Sequence, residues 1–79
     1  MQVTVKLFAS LARFAPGEKS ATPFLVDLGQ SSTLQQLVDQ LGIPTSDLKI
    51  NFVNGIICDL DCVLQPGDQV GIFPPVGGG

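Results

Sequence analysis

The chain has 79 residues, enough for a single domain with one small core. Apolar residues make up 44% and charged residues 14%, which is a globular balance and not a disordered one. The net charge of −3 argues against a nucleic-acid partner, which needs clustered Lys and Arg, and against docking on anionic membranes.

Residues 3–8, Val-Thr-Val-Lys-Leu-Phe, alternate as a half-buried strand. Val3, Val5 and Leu7 share one face. Thr4, Lys6 and Phe8 share the other, with Phe8 as the apolar exception. The opening Met1-Gln2-Val3-Thr4-Val5-Lys6 has no signal-peptide core, so a cytoplasmic location is expected. Residues 9–15 suit a short turn or helical piece that Pro16-Gly17 ends, and residues 16–23 suit a loop. Phe24-Leu25-Val26-Asp27-Leu28 reads as a second strand, paired with the first through a long connection.

The strongest periodic signal follows. Leu34, Leu37, Val38 and Leu41 fall at i, i+3, i+4 and i+7, one apolar stripe of a helix over about 33–41. Ser32 with Gln35, or Thr33 with Gln36, fits a capping box. Gly42 stands where a left-handed C-cap belongs, and Pro44 prevents continuation. A single amphipathic helix must lie on a sheet, so the stripe is core.

Residues 50–58 hold a third strand and a short fourth, folded at Asn54-Gly55, a strong tight-turn signal. Gln65-Pro66-Gly67-Asp68 is a second turn. Gln69-Val70-Gly71-Ile72-Phe73 is the last strand, with Val70 and Ile72 on one face and Gly71 and Phe73 on the other. The order is strand, strand, helix, strand, short strand, strand. It predicts an α+β domain over residues 1–73, in which a mixed sheet of four or five strands carries one main helix on one face. This is the β-grasp, or ubiquitin-like, arrangement, with the N-terminal hairpin and the final strand expected at the sheet centre.

Candidate chemistry is sparse within the domain. The chain has no His, the commonest general acid–base and metal ligand. Cys58 and Cys62 lack two further ligands for a zinc site, so no metal is expected. A structural disulfide is unusual in a cytosolic protein, and the pair reads as two small, soft side chains, with a redox or persulfide role as the open alternative. No acid–base pair or activated nucleophile points to an enzyme acting alone.

Residues 74–79 are different. Pro74-Pro75 favours an extended base, and Val76-Gly77-Gly78-Gly79 a slender, mobile tip that packs little. Six extended residues reach ~20 Å. Such an arm can thread a narrow channel and deliver the α-carboxylate of Gly79, with Gly78 beside it. A carboxylate is a poor electrophile, so a partner must activate it, for instance as an acyl-adenylate made from ATP. A sulfur donor or a lysine amine could then take the acyl group.

The segment Phe73-Pro74-Pro75-Val76-Gly77-Gly78-Gly79 resembles the ending of the small subunits of molybdopterin synthase, which are ubiquitin-like sulfur carriers. Val53-Asn54-Gly55, Leu64-Gln65-Pro66-Gly67-Asp68-Gln69-Val70 and Val5-Lys6-Leu7-Phe8-Ala9 are similar to the same family. Gly77 departs from it, since Thr or Ala often stands there. The thiamine sulfur carriers share the fold and the Gly-Gly end; chain length and Phe-Pro-Pro favour the molybdopterin branch.

The resemblance implies a protein co-substrate with no bound cofactor. A ubiquitin-activating-like adenylyltransferase would use ATP to adenylate Gly79, and a persulfide donor would supply sulfur for a thiocarboxylate. The large molybdopterin synthase subunit, or an equivalent acceptor enzyme, would receive that sulfur. The open alternatives are a carrier for thiamine or another sulfur metabolite, a ubiquitin-like modifier of lysines, and an interaction module with an inert tail. Strand phase points to a docking surface as well, because Phe8 and Phe73 face away from the core on neighbouring strands and Ile57 joins them. Both periodicity and resemblance pick out these three positions.

Overall fold

The computed structural model describes residues 1–75, and the expected tip Val76-Gly77-Gly78-Gly79 lies outside them. Five strands form one sheet in the order β2-β1-β5-β3-β4, with β1 at Gln2–Leu7, β2 at Phe24–Asp27, β3 at Ile50–Val53, β4 at Ile56–Ile57 and β5 at Gln69–Phe73. The helix α1 spans Leu34–Leu41 between β2 and β3. This is the mixed β-grasp sheet that the order of elements predicts.

One pairing in the sheet is parallel. β5 runs beside β1 with Val5 opposite Val70 and Leu7 opposite Ile72. On its other side β5 is antiparallel to β3, with Asn51 opposite Ile72 and Val53 opposite Val70. β5 is therefore the central strand. The expected hairpin of β1 and β2 forms with Val3 opposite Val26, but it does not sit wholly at the centre, because β2 is an edge strand. The reason lies in the second side of β1, which β5 occupies.

The core fills the space between sheet and helix. Val3, Val5, Leu7, Val70 and Ile72 from the sheet meet Leu34, Leu37 and Val38 from α1, and all of them are buried. Leu11, Ile43 and Leu64 close its margins. Leu41, the last residue of the stripe, is half-buried at the periphery. Residues Ala9–Phe14 form a 3-10 helix, and a single 3-10 turn at Pro16–Glu18 interrupts the expected loop.

Local chemistry accounts for each boundary. Of the two possible capping boxes, the one formed is Thr33 with Gln36. The Gln36 backbone N–H donates to Thr33 Oγ1 at 3.2 Å, and the Thr33 N–H donates to Gln36 Oε1 at 2.7 Å. Gly42 at φ 78° makes the left-handed C-cap. Asn54 and Gly55 both take positive φ, 53° and 82°, the I′ geometry whose twist suits a two-residue hairpin. At the second turn, the Asp68 N–H donates to the Gln65 carbonyl at 3.1 Å, with Gly67 at φ 83° behind Pro66.

Thr33→Ala removes one half of the capping box and leaves the core intact. It should cost about 1 kcal/mol, a fall in Tm of about 4–8 °C for a domain of this size. Thermal unfolding followed by circular dichroism checks this, and an unchanged Tm would mean that the Cys62 and Leu60 carbonyls, which accept the Leu34 and Gln35 N–H groups, satisfy the helix terminus without the box.

Candidate functional site

Among the described residues the face of the sheet opposite α1 carries no helix, and it gathers aromatic side chains. Alternation along β5 turns Gly71 and Phe73 to this face while Val70 and Ile72 enter the core. The Phe8 N–H donates to the Ile72 carbonyl at 3.1 Å, which extends the β1–β5 pairing by one residue and brings Phe8 beside Phe73. Their rings stack with centroids 4.0 Å apart and planes within 7°. Phe52 on β3 meets Phe73 edge-to-face, with centroids 5.6 Å apart at 80°. Phe73 is thus the middle member of a three-ring cluster.

Phe8 and Phe73, chosen from strand phase, do come together. Ile57 joins through its partner in the ladder, since it lies opposite Phe52 and is 65% exposed. Ile50 opposite Phe73 extends the apolar area on the same face. Phe52 is the residue that sequence reasoning missed. Its signal was its position two residues before Asn54-Gly55, because a two-residue turn places it opposite Ile57 on the face that Ile50 shares.

Gly71 forms the floor between the rings. A Cβ there would meet Phe8 Cε2 at 3.5 Å and Phe73 Cε1 at 4.0 Å, ordinary contact distances, so its absence deepens the surface without being sterically obligatory. The resulting open depression has a volume of about 270 Å³, with Thr4 and Lys6 on its polar side and Phe52 on its apolar side. It is smaller than a typical small-molecule site and suits a protruding side chain of a protein partner.

The root of the arm adjoins this cluster. β5 ends at Phe73, whose carbonyl accepts the Lys49 N–H at 2.9 Å. Pro74 is half-buried there and Pro75 is exposed. Of the six arm residues, Pro74 and Pro75 are therefore placed beside the rings; Val76, Gly77, Gly78 and Gly79 lie outside the described residues. The two cysteines lie elsewhere, beyond β4, with their sulfurs 2.8 Å apart. Among the described residues no helix is long and apolar enough to cross a membrane.

A sheet of this order, helix on one face and C-terminal arm rooted at apolar rings on the other, is that of the ubiquitin-like β-grasp proteins. Within that class the family follows from the sequence: residues 5–79 match the ThiS family, and the chain belongs to it. It is a ubiquitin-like sulfur-carrier protein. No curated protein matches it significantly. SAMP1 from Haloferax volcanii is 27% identical, with a TM-score of 0.74 over 100% of both chains. A Pyrococcus furiosus protein described as molybdopterin converting factor, subunit 1, is 26% identical, with a TM-score of 0.72 over 96% of this chain and 99% of that one. A chain from the complex of subunits 1 and 2 of molybdopterin-converting factor from Helicobacter pylori shares the fold, at 22% identity and a TM-score of 0.64 over 100% of both chains.

The stacked pair can be weighed directly. In a double-mutant cycle of Phe8→Ala and Phe73→Ala, urea unfolding should give a coupling of about 0.5–1.5 kcal/mol. Each single change should cost less than the about 3–5 kcal/mol of a fully buried Phe, because these rings are only half-buried. Strict additivity would mean that the rings do not stack in solution.

Proposed function

We propose that the chain carries sulfur as a thiocarboxylate on Gly79 and docks on its partners through Phe8, Phe52, Ile57 and Phe73. The observation that carries this reading is the position of Phe73. It is at once the middle ring of the apolar cluster and the last strand residue before Pro74-Pro75. A partner that grips the rings therefore receives the arm at a fixed origin. Gly77, Gly78 and Gly79 present no side chains to a narrow channel, and the family match runs to Gly79.

Chemistry divides between carrier and partners. A ubiquitin-activating-like adenylyltransferase joins the Gly79 carboxylate to AMP, consuming ATP and releasing pyrophosphate. The terminal sulfur of a persulfide donor then attacks the acyl carbon and expels AMP. A second thiol frees the thiocarboxylate and leaves a disulfide on the donor. The acceptor is the large subunit of a molybdopterin synthase. The likeness to molybdopterin converting factor, subunit 1, and the two-subunit Helicobacter pylori complex support that choice. The domain itself positions the arm and catalyses none of these steps.

A second reading has its own support. SAMP1 from Haloferax volcanii is described elsewhere as small archaeal modifier protein 1, again at 27% identity. On that reading the adenylated Gly79 passes to a lysine amine and forms an amide.

The deciding measurement is the intact mass of the protein after incubation with ATP, the activating enzyme of its host and a persulfide donor. Replacement of one oxygen by sulfur, mapped to Gly79, is the expected result. Deletion of Gly79, or one residue appended after it, should abolish that change while leaving Tm unaltered. Lysine adducts on other proteins would favour the modifier reading, and a mass unchanged under all conditions would sink both.

A further inference from the structure

Cys58 and Cys62 play no part in the arm or the ring cluster, yet the fold brings them into contact. Four residues of extended chain would separate them by about 13 Å. A tight turn prevents this, because the Cys62 N–H donates to the Asp59 carbonyl at 3.0 Å and folds the chain back on itself. The two sulfurs then lie 2.8 Å apart, inside the about 3.5–4.0 Å at which non-bonded heavy atoms usually rest. Both are free thiols at half-buried positions, within reach of a small solute.

The backbone around them is held at both ends. The Cys58 N–H donates to the Asn51 carbonyl at 2.9 Å, which continues the β3–β4 ladder by one residue. On the far side, the Cys62 carbonyl accepts the Leu34 N–H at 2.9 Å, and the Leu60 carbonyl accepts the Gln35 N–H at 2.8 Å. These are first-turn amides of α1, which have no partner within the helix. The loop 58–62 therefore completes the N-terminus of α1.

We propose that Cys58 and Cys62 form a reversible intrachain disulfide that closes the loop after β4, whose carbonyls serve the first turn of α1. Closure needs the sulfurs to move only from 2.8 Å to about 2.05 Å. The oxidant is a low-molecular-weight disulfide such as glutathione disulfide. Cys58 Sγ attacks one sulfur of that disulfide and releases one small thiol. Cys62 Sγ then attacks Cys58 Sγ and releases the second. Two protein thiols and one small disulfide thus become one protein disulfide and two small thiols.

The order of attack follows from where the proton sits. Cys62 is pushed up to about 11, first by its hydrogen bond with Cys58, then by burial and the charges of Cys58, Asp68 and Asp61. The raised Cys62 thiol suits the resolving role, with Cys58 as the attacking sulfur. The bond constrains a five-residue loop and so restricts the unfolded chain, and it holds in place the two carbonyls that serve α1.

The test uses the whole chain, equilibrated with reduced and oxidised glutathione in varied ratio. Wild type should lose the mass of two hydrogens, mapped to a Cys58–Cys62 link, and regain it on reduction. Cys62→Ser should instead hold one glutathionyl group on Cys58, and Cys58→Ser should react more slowly. Oxidation should raise Tm by about 5–15 °C and slow amide exchange at Leu34 and Gln35 about tenfold. Disulfide-linked dimers, stable glutathionyl adducts on wild type, or unchanged exchange at Leu34 and Gln35 would each overturn the proposal. The same results are expected with Gly78 and Gly79 deleted, so this test stands apart from the fate of the arm.

Discussion

The parallel pairing of β1 with β5 is the contact on which the molecule depends. It joins the first strand to the last, so every intervening element must be in place for the sheet to close. Its register does two things at once. Val5 opposite Val70 and Leu7 opposite Ile72 send four apolar side chains into the core beneath α1. The next step along the same two strands sets Phe8 against Phe73 on the other face. A slip of one residue would exchange the faces, placing aromatic rings under the helix and exposing the aliphatic set. Core burial therefore specifies the ring cluster indirectly, by making any other register costly.

The two faces have different physical jobs. Under α1 the side chains are aliphatic and fully enclosed, as a close-packed interior requires. On the open face three rings, Ile57 and Ile50 remain partly in water. Leaving that much apolar surface uncovered forgoes stabilisation in a domain too small to have much to spare. The polar residues Thr4 and Lys6 on β1 and Gln69 on β5 border the patch.

The helix, both Gly-bearing turns, β5 and the phase of Phe8 and Phe73 were all legible, because each rests on interactions among residues close in sequence. The stripe from Leu34 to Leu41 needs only a period, and Asn54-Gly55 needs only its own backbone freedom. What escaped depended on tertiary placement. The edge position of β2 follows from β5 taking the inner side of β1, a pairing between residues far apart in the chain. Phe52 was hidden because Phe52-Val53 and Ile56-Ile57 are apolar on both faces, which blurs alternation, and only the hairpin register assigns Phe52 to the ring side. The contact of Cys58 with Cys62 is set by a turn at Asp59 that carries neither Gly nor Pro. The chemistry proposed for the arm rests on composition and resemblance, because Val76, Gly77, Gly78 and Gly79 lie outside the described residues.

The geometry also limits how a carrier of this kind can be used. The described residues present one cluster of rings, and the arm starts from one member of it. On the proposed reading, an activating enzyme and a sulfur acceptor both need the arm and both grip Phe73. They cannot bind together, so loading and delivery are separated in time by dissociation. A partner bound through a half-exposed cluster of three rings and one isoleucine offers enough apolar area for recognition without the extent of an obligate interface. Release then depends on each partner's differential affinity for the free and modified arm. The small core and the open ring face are consistent with that demand: the fold keeps its stability on the helix side, where no partner needs to reach.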